Sequence, residues 1–183
     1  MMARTVQQLF DLSGRVALVT GGSRGLGLQM ARALGEAGAR VMLASRKAEE
    51  LEHAAAQLHA AGIDASWIAA DCAQEADIQR LASETLRRMG DVDILVNNAG
   101  ASWGAPAEDH PVAAWDKVMN LNVRGYFLLS QAIAKASMIA RGKGSIINIA
   151  SIAALGGNPL AMKTIAYNTS KGAVLNFTRA LAG

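Results

Sequence analysis

Cysteine is almost absent from this chain: Cys72 is the single one in 183 residues. A lone thiol excludes any disulfide within the chain, and the composition is that of a soluble protein of a reducing compartment. Cys72 itself reads most plainly as a small buried or half-buried residue. Long apolar runs are also missing. No segment is long enough to span a bilayer, and Met1 to Gly14 lacks the apolar stretch of a signal peptide. A cytoplasmic protein without a membrane partner is the expectation. No charge of one sign dominates: 18 Lys and Arg stand against 15 Asp and Glu. The basic residues are scattered, with only short pairs such as Arg46-Lys47 and Arg87-Arg88 and no interleaved aromatics, so a nucleic-acid partner is not expected. His53 and His59 lie on a surface helix pattern and His110 precedes Pro111 in a loop. No metal-ligand spacing results, and no metal site is expected.

Aromatics make up only 4% of the residues, while alanine and glycine are plentiful, which suits tightly packed alternating strands and helices. The length is ample for one well-buried domain and short for two. Short apolar runs at Arg15–Thr20, Arg40–Ser45, Ala65–Ala70, Asp93–Val96 and Ser145–Ala150 read as strands. Between them, helical patterns cover Leu26–Ala37, Ala48–Ala61, Gln74–Met89 and Val112–Ala140, and a last helix starts near Ile165. Strands apolar on both faces and separated by helices imply an α/β fold, a doubly wound parallel sheet in a single Rossmann-like domain over residues 1–183. Such sheets usually reach six strands. Five are readable here, and the helical pattern stops at Gly183 without a cap, so the domain is expected to be C-terminally incomplete. The tryptophans Trp67, Trp103 and Trp115 are expected in the core or an interface, with Trp103 near enough to the Asn97–Gly100 loop to touch substrate.

Thr20-Gly21-Gly22-Ser23-Arg24-Gly25-Leu26-Gly27 follows the first strand directly and opens the first long helix. A tight turn needs positive φ, a pyrophosphate needs close backbone approach, and the helix must sit against the strand; Gly21, Gly25 and Gly27 meet these needs. The free N–H groups at the helix start then face an anion. A sharp turn without a ligand is the plainer alternative. At the end of the second strand, where an NAD site usually carries an acid, stand Ser45 and Arg46. A hydroxyl and a guanidinium can hold a 2′-phosphate that a carboxylate would repel, and Arg24 can assist from the glycine turn. NADP(H) is therefore expected in preference to NAD(H). Arg46 as an ordinary solvated arginine is the alternative.

Tyr167 and Lys171, four apart, share one helical face. A free phenol ionises near pH ~10, so proton exchange near neutrality requires about 4 kcal/mol of extra stabilisation of the phenolate. A fixed ammonium one turn away supplies much of it. The same spacing also occurs on solvated helices, where Lys171 would be only a surface charge.

Taken in order, Thr20 to Gly27, Asn97-Asn98-Ala99-Gly100, Ser151 and Tyr167-x-x-x-Lys171 resemble the short-chain dehydrogenases/reductases, over essentially the whole chain from Leu12 to Gly183. Bacterial 3-oxoacyl-acyl-carrier-protein reductases and gluconate 5-dehydrogenases are the kinds it is most similar to. The resemblance implies hydride transfer between a nicotinamide and a carbonyl or secondary alcohol, a small-molecule substrate and a dimer or tetramer. Tyr167 would be the acid/base, Lys171 its partner and a holder of the nicotinamide ribose, Ser151 the group bonding the substrate oxygen, and Asn122 the residue holding a relay water. Gly21, Ser23, Arg24, Gly25, Leu26, Gly27, Ser45, Arg46, Asp71, Cys72, Asn98, Ala99, Gly100, Tyr167 and Lys171 would contact the cofactor, Asp71 at the adenine and Cys72 through its backbone. Plainer roles stay open: Ser151 as a strand-end turn residue, Asn122 as a helix kink, Asp71 as a loop acid or cap. A non-catalytic dinucleotide-binding regulatory protein of the same fold is the alternative function. The segment Ile152–Ala166 is somewhat longer than the family's usual one, with turn-forming Gly156-Gly157-Asn158-Pro159, and the family's last strands and substrate lid do not appear before Gly183.

Overall fold

The computed structural model describes residues 5–157, 159 and 162–182; Asn158 of the turn-rich segment and Gly183 lie outside them. Five parallel strands form one sheet: β1 (Val16–Thr20), β2 (Arg40–Ser45), β3 (Ala65–Ala69), β4 (Ile94–Asn97) and β5 (Ser145–Asn148), in the spatial order β3-β2-β1-β4-β5. Every residue of β1 is buried because both sheet faces are covered. Val16 and Leu18 point into one core with Met42, Leu95 and the helical residues Ile78, Leu81, Leu129 and Ile133. Their neighbours Ala17 and Val19 point into the other core with Val41, Leu43, Leu51 and Leu58. The alternation of a pleated strand thus feeds two cores at once.

The helices are α1 (Val6–Phe10), α2 (Gly25–Glu36), α3 (Ala48–Ala60), α4 (Glu75–Met89), α5 (Val112–Met119), α6 (Gly125–Ile133) and α7 (Ile165–Ala182). α1 was not foreseen, although Thr5-x-x-Gln8 is a capping box: the Gln8 N–H donates to the Thr5 hydroxyl at 3.3 Å and the Thr5 N–H to the Gln8 side chain at 2.9 Å. The expected single helix over Val112–Ala140 is instead interrupted by π-helical turns at Asn120–Arg124 and Ala134–Met138. A Cβ on Gly125 would lie 2.3 Å from the Cys72 carbonyl oxygen, so the glycine lets the loop after β3 press against this helix. That close approach, invisible to helix propensity, explains a glycine inside the helical pattern.

One expectation is corrected. β5 is not covered on both faces: among the described residues it pairs with β4 alone, and Ile147 is 41% exposed. Of the tryptophans, Trp67 is half-buried and packs against the second core, Trp115 is half-buried, and Trp103 is exposed with the Lys117 ammonium 6.0 Å from its ring centroid. At the amino end of the sheet, Asp93 accepts from the Val16 N–H at 3.1 Å and pairs with Arg141 at 2.6 Å and Arg15 at 3.2 Å. Partial burial pushes this carboxyl up, but the bonds from Val16, Arg141 and Arg15 outweigh it and hold it below the usual range. No helix among the described residues is long and apolar enough to cross a membrane.

Candidate functional site

The chain runs outward from β1 to β3, then returns past β1 to β4, so connections leave β1 and β4 in opposite directions. Their carboxyl ends therefore flank an opening in the sheet, the usual ligand crevice of such folds. Thr20 closes its floor. Its hydroxyl donates to the Val96 carbonyl at 3.2 Å and accepts from the Asn98 and Ala99 N–H groups at 3.0 and 3.1 Å. The Asn98 amide in turn donates to the carbonyls of Thr20 at 2.9 Å and Gly21 at 3.3 Å, fixing the glycine turn against the loop after β4.

The glycines behave as the sequence requires. Gly21 and Gly25 have φ of +65° and +56°, and a Cβ on Gly27 would stand 2.1 Å from the Gly21 carbonyl oxygen. No side chain caps the start of α2, where Arg24 occupies the N-cap with extended backbone. Its first N–H groups are thus donors without intrahelical partners, opening on a cleft of about 390 Å³. Ser23, Arg24, Leu26, Ser45, Arg46, Asp71, Cys72, Ala99 and Gly100 all line this cleft, as do Gly21, Gly25, Gly27 and Asn98. Asp71 has a local task as well, accepting from the Ala73 N–H at 3.0 Å. Cys72 is buried, and burial first, with Asp71 and Asp77 adding to it, pushes its thiol up to about 12. A thiol held protonated in this way is a poor nucleophile.

Sequence reasoning missed four cleft residues, the apolar Ala70 and Leu121 and the charged Lys47 and Glu50. Glu50, in the first turn of α3, accepts from the Lys47 ammonium at 2.8 Å and from the Ser23 hydroxyl at 3.2 Å. The Lys47–Glu50 spacing was a readable helical pair. The Ser23 contact spans 27 positions and has no local signal.

Beyond the cleft, Ser151 and Tyr167 line one cavity of about 690 Å³, together with Ser102 and Thr164. Ser151 also caps a 3-10 turn (Ile152–Ala154) by accepting from the Ala153 N–H, so its plainer role is present too. Lys171 is no surface charge: it is 3% exposed, its ammonium donates to the Ile149 carbonyl and lies 5.7 Å from the Tyr167 ring centroid. Burial holds that ammonium below the ordinary lysine value. On its other side the Tyr126 ring centroid is 5.5 Å away. Tyr126, also missed, is buried, which pushes its phenol well up. Asn122 is fully buried in the first π-helical turn. Its amide accepts from the Ala101 N–H at 2.8 Å and donates to the Ala101 carbonyl and the Ser170 hydroxyl, each at 2.9 Å. One side chain thereby ties the loop after β4 to α7, which carries Tyr167 and Lys171.

An anion-ready turn at the switch point of a doubly wound sheet, with a half-buried Tyr167 facing a buried Lys171 on one helix, defines a Rossmann-like α/β protein. The chain belongs to the short chain dehydrogenase family, whose model matches residues 15–183. It is 44% identical over 176 residues to a rhamnolipids biosynthesis 3-oxoacyl-[acyl-carrier-protein] reductase of Pseudomonas aeruginosa, covering 94% of this chain and 68% of that protein. It is also 44% identical to a gluconate 5-dehydrogenase of Gluconobacter oxydans, over 95% of this chain and 66% of that protein. A crystal structure of a gluconate 5-dehydrogenase from Burkholderia cenocepacia, in complex with NADP and tartrate, superimposes with a TM-score of 0.90 at 37% identity, covering 97% of this chain and 68% of that one. The chain therefore spans about two thirds of the length of these relatives.

Proposed function

We propose that residues 1–183 form a single dinucleotide-binding domain carrying an oxidoreductase site that uses NADP(H) in preference to NAD(H) and interconverts a carbonyl and a secondary alcohol. The observation that carries the reading is the buried Lys171 ammonium held against the Tyr167 ring, next to a glycine cradle. The residues fit the cofactor: the uncapped start of α2 suits a pyrophosphate, and Ser45, Arg46 and Arg24 suit a 2′-phosphate. Bound there, the cofactor supplies the hydride. The protein supplies the rest. Tyr167 gives a proton to the carbonyl oxygen in reduction and takes it back in oxidation, and the Lys171 charge favours the phenolate. Ser151 bonds the same oxygen and orients it. Asn122 holds the Ala101 loop and the Ser170 turn in register, and so positions Tyr167.

The named activities of the two reductase and dehydrogenase relatives make 3-oxoacyl thioesters and keto sugar acids the first substrates to try. A homo-oligomer formed through the α6 and α7 region would cover Phe127 and Leu181, which are 47% and 44% exposed. A cytoplasmic location belongs to the same proposal, since reduced dinucleotide is found inside cells. The test is NADPH oxidation with a carbonyl panel, in the protein and in Tyr167→Phe. Turnover should fall at least about 10²-fold with cofactor affinity nearly unchanged. Retained turnover in the variant refutes the role of Tyr167, and NADPH binding without turnover on any carbonyl favours a non-catalytic regulatory protein.

A further inference from the structure

Glu50 stands where the case for a 2′-phosphate would forbid an acid. Ser45 and Arg46 leave the end of β2 without a carboxylate, yet α3 brings one back into the same cleft a single turn later. Its two oxygens hold donors from both walls. The Ser23 hydroxyl of the glycine turn lies 3.2 Å from Oε2, and the ammonium of Lys47, the N-cap of α3, lies 2.8 Å from Oε1. Helix capping does not require this arrangement. Glu49 occupies the same first turn, where an acid suits the helix dipole, but it is exposed and makes no hydrogen bond among the described residues. Glu50 is instead directed at the cleft, with its side chain 31% exposed.

Resting on the NADP(H) reading above, we propose that Glu50 is a resident anion of the 2′-phosphate subsite and limits the preference for the phosphorylated cofactor. Arg24, Arg46 and Lys47 offer three cations there, and Glu50 offsets one of them while occupying Ser23 and Lys47 as donors. A phosphomonoester carries about −1.5 to −2 charges, so it must compete with this carboxylate for the same donors. NADH brings only a ribose hydroxyl to the position and meets no such repulsion.

The experiment titrates NADPH and NADH, by the fluorescence of the reduced nicotinamide, into the unaltered protein, Glu50→Gln and Glu50→Ala. For a half-exposed charge pair the expected gain is about three- to tenfold in NADPH affinity in both variants at low salt, with NADH changed by less than about twofold. At about 1 M salt, where the screening length falls to ~3 Å, the gain should shrink towards none. A merely structural Glu50 would not show that salt dependence. NADPH affinity that is unchanged or weaker in Glu50→Gln, or parallel changes for both cofactors, overturns the assignment and leaves the cofactor reading standing. Failure of the unaltered protein to bind either dinucleotide overturns that reading and this inference with it.

Discussion

Replacing Gly27 by alanine tests the cofactor cradle at its tightest point. The new Cβ would begin 2.1 Å from the Gly21 carbonyl oxygen and 2.6 Å from the Asn98 amide nitrogen. Ordinary contact distances are about 3.5–4.0 Å, so α2 must retreat from β1 by more than an ångström or the Asn98 amide must let go. Overpacking of this kind costs about 1–3 kcal/mol. Losing the Asn98 bonds to the Thr20 and Gly21 carbonyls adds roughly 1 kcal/mol for each. The sum, about 3–5 kcal/mol, is a large part of the 5–15 kcal/mol typical of a folded domain. Gly25→Ala provides the contrast: no atom lies within 4 Å of its Cβ, and only the φ of +56° resists, at about 1–2 kcal/mol. Urea unfolding followed by circular dichroism should give Gly27→Ala at least twice the destabilisation of Gly25→Ala. NADPH affinity in Gly27→Ala should fall by more than about tenfold, because the retreating element is the helix start that meets the phosphates. A Gly27→Ala protein within about 0.5 kcal/mol of the parent, with unchanged affinity, would refute the argument.

Two further outcomes follow from the titrating groups. Lys171 has a folded-state pKa depressed by burial, so the unfolded chain binds more protons between that lowered value and the ordinary one; its contribution to stability therefore rises with pH across that window. The stability of Lys171→Met should lack that rise as pH climbs towards the ordinary lysine value of about 10.4, and identical slopes in the two proteins would contradict the burial of the charge. Asp93 has the opposite sign: its folded-state pKa is lowered, so its stabilisation is present above the unfolded value of about 3.9 and is lost as pH falls through the folded value. Asp93→Asn should cost about 1–3 kcal/mol at pH ~7, with the gap closing in acid; a gap that persists to pH ~2 would count against this role.

Local signals made most of the framework readable. Both-faced apolar runs gave the five strands to within a residue or two, and glycine placement marked the positive-φ turn after β1. The capping box at Thr5–Gln8 was equally legible, but α1 was not foreseen. The long helical region was readable as helix but not as helix with π-helical turns, and the glycine inside it found its reason only in the Cys72 carbonyl, which belongs to another element. Size and apolarity left Trp103 open to core, interface or substrate contact, and only the fold sets its ring exposed beside Lys117.

The order of residues along the chain was enough to determine the alternation of strand and helix, the positive-φ glycine turn and the shared face of Tyr167 and Lys171, since each depends on interactions within a few residues. Only the folded sheet decided how distant segments meet. It sets Thr20 under Asn98, joins Asn122 to Ala101 and Ser170, buries the Lys171 ammonium and turns Glu50 towards Ser23. Those partners lie tens of residues apart, and their contacts exist only because the crossover connections bring the carboxyl ends of β1, β2 and β4 to one side of the molecule.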